Sequence, residues 1–359
     1  MLRKHRLTCT SLALLALSGC QAGYLLQAAG GQMGVLAARR PVERVIADRS
    51  TPAPLRTRLI LVREARDFAT RELGLPDNRS YRSFADLKRD YVVWNVIAAP
   101  EFSVEPREWC FPVAGCVAYR GYFQERSAQR FAARLRRRGD DVVVGGVPAY
   151  STLGHFADPL LSTMLRYDDA EVVGTIFHEL AHQLLYVRSD SVFNESFAMT
   201  VEEAGLEAWL NARGLGAELA NWRAKRSGER RQTLLLIAAR ADLAALYKER
   251  LGVEERRERK HRRLAQLALE LHSRRSFNNA DLAIAATYWD CVPGLQRELS
   301  AAEGQWSQFY QRARQLAQLT IGERRAKLCR ATPDALAQRD PLAQRDQNDD
   351  LTPAHIEHQ

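Results

Sequence analysis

His178-Glu179-Leu180-Ala181-His182, with Asn194-Glu195-Ser196-Phe197-Ala198 following so that twelve residues separate His182 from Glu195, is the stretch on which the reading of this 359-residue chain turns. On a helix, residues four apart share a face. His178 and His182 therefore aim both imidazoles at one metal ion, while Glu179 reaches the water beside it. The flanking sequence asks for that helix. Val172, Val173, Ile176, Phe177, Leu180 and Leu184 recur at helical intervals, and Asp168 with Glu171 three places on has the form of a capping box. A hydrolytic zinc takes three protein ligands and keeps a fourth position for water or substrate. The carboxylate motif downstream offers a third ligand, and Glu195 is the choice, giving one Zn2+ per chain with Glu179 as general base.

The amino terminus carries a second signal. Arg3, Lys4 and Arg6 form a basic region, Leu12 to Leu17 an apolar one, and Leu17-Ser18-Gly19-Cys20 a small-residue cleavage site ending in Cys. That pattern is a bacterial lipoprotein signal, with residues 1–19 removed and Cys20 lipidated. The alternatives are an ordinary secretory signal or a short anchor, but the apolar run falls short of the roughly twenty residues that span a bilayer. Gln21 after the Cys points to the periplasmic face of an outer membrane.

The formal net charge is +9, and loss of Arg3, Lys4 and Arg6 leaves the mature chain basic. Export argues against a nucleic-acid partner, and the basic stretch Arg256 to Arg263 is interleaved with Glu254, Glu255 and Glu258, as on a solvated helix. Cysteine usage fits an oxidising compartment. With Cys9 in the leader and Cys20 reserved for lipid, an even set remains: Cys110, Cys116, Cys291 and Cys329. Two disulfides are expected, with three connectivities open. Cys110 and Cys116 bracket a short apolar loop, and Cys291 with Cys329 would staple the carboxy-terminal helices.

The spacing predicts an α+β, predominantly α-helical chain with a small sheet before the metal-binding helix and a helical carboxy-terminal lobe. Residues 24–90 read as mostly helical, Tyr91–Ala98 and Asp141–Val147 as strands, and Glu202 to Leu319 as packed helices interrupted at Ser276-Phe277-Asn278-Asn279-Ala280. Residues 20–330 form the main domain, in one piece or as subdomains of about 20–200 and 201–330. The tail 331–359 carries the imperfect repeat Leu336-Ala337-Gln338-Arg339-Asp340 and Leu342-Ala343-Gln344-Arg345-Asp346 and is expected to be disordered.

His178 to Gln183 with Asn194 to Ala198 resembles the HELAHQ and NEGFA pair of aminopeptidase N-type enzymes, and through them the gluzincin metallopeptidases. Trp109-Cys110-Phe111-Pro112-Val113-Ala114-Gly115-Cys116, Tyr119-Arg120-Gly121-Tyr122-Phe123 and Tyr150-Ser151-Thr152-Leu153-Gly154 resemble recurring segments of the bacterial putative aminopeptidase lipoprotein family. The resemblance implies a zincin-like fold, a zinc metallopeptidase activity and a peptide substrate. An edge strand at Val142 to Val147, or the loop Pro148-Ala149-Tyr150, would take extended substrate, and a Tyr such as Tyr288 would stabilise the oxyanion. This chain departs from the pattern twice. Gluzincins place a longer run between the second His and the ligand Glu, a spacing that Glu202 would restore, so Glu202 is the rival ligand, while Glu203 reads as helix surface. The segment that captures the free amino terminus in aminopeptidase N is also missing, which leaves endopeptidase activity open, as well as a non-catalytic role in the envelope.

Overall fold

The computed structural model describes residues 23–329 apart from Pro112. Cys20, the leader before it and the tail from residue 331 onward lie outside the described residues. The chain is organised as two compact units. The first runs to Ala98 and adds Arg107–Trp109 and Val117–Tyr186; the second takes Ala99–Pro106, Cys110–Cys116 and the chain from Val187 on.

The first unit begins with α1 (23–37), β1 (Arg39–Pro41), α2 (Val42–Ala47) and α3 (Ala53–Arg71). After β2 (Ser83–Ala85) and β3 (Val93–Pro100) the chain forms a hairpin of β4 (Trp109–Phe111) and β5 (Gly115–Val117), whose residues Cys110–Cys116 belong to the second unit. Then follow β6 (Arg120–Tyr122), α4 (Glu125–Arg136), β7 (Asp140–Val147), β8 (Leu160–Leu161), a 3-10 turn at Met164–Arg166 and α5 (Asp169–Leu184). β3 lies between β6 and β7. It is antiparallel to β6, with Asn95 opposite Gly121. Its apolar stretch Val96-Ile97-Ala98-Ala99, buried throughout, suits that central place. Val96 and Ala98 of β3 and Val142 of β7 form one core with Ala128, Phe131, Ala132 and Leu135 of α4. A second sheet pairs β2 antiparallel to β1 and parallel to β8.

Helix does not extend through residues 72–90 as the spacing suggests. It stops at Arg71 because Gly74, at φ +65°, and Pro76 break the pattern. The segment that follows is held instead by the buried guanidinium of Arg66, which donates to the carbonyls of Pro76 at 2.6 Å, Asn78 at 3.2 Å and Ser80 at 3.0 Å.

The second unit is helical, as expected: α6 (Ser191–Ala212), α7 (Gly216–Leu246), α8 (Val253–Glu270), α9 (Asn279–Trp289), α10 (Val292–Ser300), α11 (Trp306–Ala317) and α12 (Ile321–Leu328). Phe193 and Phe197 of α6 stack in series onto Phe309 of α11, and Leu243, Leu246, Leu264 and Leu267 fasten α7 to α8. The expected interruption precedes α9, where Asn278 caps the helix and Asp281 completes a capping box. The basic stretch of α8 is paired with acid: Arg257 with Glu101 and Glu254, Arg259 with Glu249 and Glu255, and Arg263 with Asp242 and Glu270. Of the three connectivities, the disulfides formed are Cys110–Cys116, closing the hairpin loop, and Cys291–Cys329, tying the start of α10 to the end of α12. No helix among the described residues is long and apolar enough to cross a membrane.

Candidate metal centre

α5 begins on the predicted cap. The Glu171 amide donates to Asp168 Oδ1 at 2.8 Å, and the Asp168 amide donates to Glu171 Oε2 at 3.2 Å. Val172, Val173, Ile176, Phe177 and Leu180 are buried, and Phe177 stacks on Phe68 of α3 with ring centroids 6.3 Å apart. Arg58, also on α3, ties down the start of the helix through Asp169 at 2.8 Å and the Tyr167 carbonyl at 2.6 Å. A helix fixed along its length in this way presents its last turns in one orientation.

On those turns the His178 and His182 rings stand nearly perpendicular, and their Nε2 atoms are 3.2 Å apart. Two imidazole nitrogens bound tetrahedrally to one zinc at about 2.0–2.1 Å sit about 3.3 Å from each other. The pair is thus already at ligand spacing. His182 and Glu179 are buried at 7% and 9% exposure, and His178 is partly buried.

The residue after the second histidine has a task that sequence reading missed. Gln183 accepts from Asn78 Nδ2 at 2.7 Å and donates to Ser80 Oγ at 3.3 Å and to Asp158 Oδ2 at 3.2 Å. It therefore joins the end of α5 to the 76–82 segment and to the loop after β7. In that loop Thr152 donates to both carboxylate oxygens of Asp158, through its hydroxyl at 2.7 Å and its amide at 3.0 Å. Burial pushes the Asp158 carboxyl above its ordinary range despite these bonds. Tyr81 is also buried, at φ +63°, and burial together with the nearby charges of Glu179 and Asp158 pushes its phenol well up. Nothing in the sequence around Tyr81 marked it, since its surroundings come from residues far along the chain.

α6 opens on Asp190, whose carboxylate accepts from the Phe193 amide at 3.2 Å. Two residues of the quoted motif then act in sequence. Asn194 accepts from the Val187 amide at 2.7 Å and donates to the Val187 carbonyl at 2.8 Å, closing the turn before the helix. Glu195 follows on α6 and is 7% exposed. The disulfide loop supports the same turn, because the Cys116 amide donates to Ser189 Oγ at 3.0 Å. Gly115, at φ +77°, lies so close that a Cβ there would meet Ser189 Oγ at 2.4 Å.

His178, His182 and Glu195 each offer a ligand atom, and these atoms all lie within 4.8 Å of one another, a group able to hold a metal ion. Glu202 is not part of it. Its side chain is 21% exposed, with a carboxylate oxygen 3.8 Å from Arg226. Glu203 corrects the expectation of ordinary helix surface. It is buried, accepting from Arg226 at 3.0 Å, Arg230 at 3.5 Å and Gln296 at 3.0 Å. Burial raises its pKa against the pull of the two arginines. Tyr288 sits partly buried on α9, where its carbonyl accepts from Ser196 Oγ at 3.4 Å.

The sequence profile of a family described as "Putative aminopeptidase" matches residues 23–328. No curated protein and no solved structure matches the chain.

Proposed function

The chain belongs to the putative aminopeptidase family, and we propose on that premise that it is a zinc-dependent aminopeptidase, of gluzincin type and zincin-like in fold, anchored in the bacterial envelope through lipidated Cys20. The observation that carries the metal assignment is the group of His178, His182 and Glu195, whose ligand atoms lie within 4.8 Å of one another. Two imidazoles and one carboxylate are the donor set of a hydrolytic zinc site, in which three protein ligands leave a position open; a structural zinc closes its coordination with four. Bound there, zinc would acidify a water and polarise the scissile carbonyl.

The remaining work falls to the chain's own side chains. Glu179, one residue from His178 on the same helix, takes the proton of the attacking water on its carboxylate and returns it to the leaving amine. Its burial at 9% exposure keeps that carboxylate out of bulk solvent. Gln183 keeps the last turn of α5 in place through Asn78, Ser80 and Asp158. Tyr288 remains the candidate for oxyanion stabilisation.

An endopeptidase reading rests on β7, which lies at an edge of its sheet and so leaves one side to receive an extended peptide. The deciding experiment maps cuts by mass spectrometry in a mixed peptide library, half of it amino-terminally acetylated, with the zinc-loaded protein and its Glu179→Gln variant. Single-residue losses from unblocked peptides alone are expected. Internal cuts in blocked peptides would establish the endopeptidase. A Glu179→Gln protein that keeps its zinc and full activity would overturn the mechanism; the expected loss is about 10²–10⁴-fold.

A further inference from the structure

We propose that α1 lies against the lipid bilayer, its outward face seated at the boundary between headgroups and acyl chains. This rests on the reading of Cys20 as a lipidated residue. The helix spans 23–37 and carries no charged side chain. Every other helix among the described residues carries at least one Asp, Glu, Lys or Arg.

The rotation of α1 about its axis is fixed from inside the first unit. Tyr24 meets Tyr122 edge to face at 5.5 Å, and Gln27 accepts from the Phe123 amide at 3.3 Å and donates to the Gly121 carbonyl at 3.5 Å. Gly31 lies under the Phe123 ring, where a Cβ would come within 2.1 Å of ring carbon, and Val35 is 1% exposed. These four positions form one stripe at helical spacing. The opposite face carries Leu25 at 48%, Leu26 at 73% and Met33 at 63% exposure, with Ala29, Gly30 and Ala37 also exposed among them. The other large exposed apolar side chains are spread over the hairpin, the loops and two other helices. Three on one short uncharged face make a patch that calls for an occupant.

The occupant follows from where the chain leads. Cys20 precedes the first residue of α1 by three positions, and three residues reach at most about 11 Å. Acyl chains on Cys20 would hold the start of α1 at the membrane surface, and an uncharged apolar face there enters the interface without taking a charge out of water. A tether at Cys20 holds the protein to the membrane but leaves the first unit free to turn about it. Contact along α1 fixes which side of the first unit faces the membrane.

The test uses the full processed protein in vesicles of phosphatidylethanolamine and phosphatidylglycerol, with Leu26→Cys or Met33→Cys carrying a nitroxide label. Both disulfide pairs are closed, so with Cys20 acylated the introduced thiol is the one available for labelling. Labels at 26 and 33 should be reached by oxygen in preference to a water-soluble nickel chelate. A control at Leu269→Cys, 76% exposed on α8, should show the reverse. Chelate-accessible labels at 26 and 33 would overturn the proposal. So would dipolar broadening between labels on neighbouring chains, which would identify a second copy as the occupant. The mass of the mature amino terminus reports acylation of Cys20 separately. If Cys20 is bare, the labels are placed on a Cys20→Ser background; shielding by added vesicles would still support the lipid contact, and labels that stay aqueous would refute it.

Discussion

Replacing Arg324 with Met should cost the protein a large share of its stability. Arg324 and Asp190 are buried, with side chains 4% and 2% exposed; Nε donates to Asp190 Oδ2 at 2.8 Å, and Nη2 is ion-paired with the same oxygen at 2.7 Å. The remaining nitrogen, Nη1, donates to the carbonyls of Leu316 at 3.1 Å, Ala317 at 3.1 Å and Leu319 at 2.8 Å. Met fills most of the volume but leaves the Asp190 charge buried without its partner, which costs about 3–5 kcal/mol. Domains are stable by about 5–15 kcal/mol, so the loss is a major fraction. At about 2–4 °C per kcal/mol for units of this size, the melting temperature should fall by roughly 6–20 °C. Circular dichroism with the disulfides intact measures it. Asp190→Asn added to Arg324→Met should restore much of the loss, because a neutral Asn still caps α6. A single variant within about 1 kcal/mol of the parent, or a double variant no better than the single, would refute the assignment.

The third ligand can be decided by metal content. Glu195→Ala should lose stoichiometric zinc while Glu202→Ala keeps it, and the opposite result would reinstate Glu202. Asn194→Ala removes both bonds to Val187 and leaves its part-buried amide without that partner, at about 1–3 kcal/mol, while the Val187 carbonyl keeps the Asp190 amide at 3.2 Å; zinc affinity by chelator competition should drop about 10–100-fold, and unchanged affinity would count against its role. Stability should also respond to pH. Burial holds Asp158 and Glu203 above the ordinary carboxylate range, so both bind protons more readily folded than unfolded. Stability of the metal-free protein should therefore rise as pH falls through those raised values and level off near the unfolded value of about 4. The exposed Asp48, lowered to about 2 by Ser50 and Arg40, contributes in the other direction only below that point. Urea midpoints that fall between pH 7.5 and 5.5 would refute the sign.

What the sequence disclosed was whatever depends on neighbours a few positions apart. The α5 cap, the histidine pair and the apolar face of that helix are all local, and the chain there folded as its spacing requires. β3 and β7 were legible from runs bounded by turn residues. Glu203 was not. An acidic pair in a helix looks like surface, and its burial is created by Arg226, Arg230 and Gln296 from elsewhere in the chain. The 72–90 segment failed for a related reason. Gly74 and Pro76 announced the break, but Arg66, whose guanidinium gives the loop its shape, read as one more helix residue. The role of Gln183 was hidden inside a motif read only for its metal ligands.

The short run between His182 and Glu195 looked like a defect in the candidate site, and the structure supplies a reason why so few residues suffice. A long connection sets the position of its far end loosely, since each added residue brings conformational freedom that must be removed. Here the turn before α6 has little freedom left. Asn194 bonds both polar groups of the Val187 backbone, Ser189 is held at φ +64° with its hydroxyl accepting from Cys116, and Asp190 caps α6 while Arg324 holds Asp190. Each of these contacts lies within the second unit and fixes residues immediately before Glu195. The Asn of the motif therefore has a physical reason to stand beside the Glu: it sets the course of the backbone from which the carboxylate projects. The Cys110–Cys116 loop has one as well, since Gly115 presses on Ser189. Segments far apart in sequence, resembling one family for separate reasons, converge on the placement of one carboxylate.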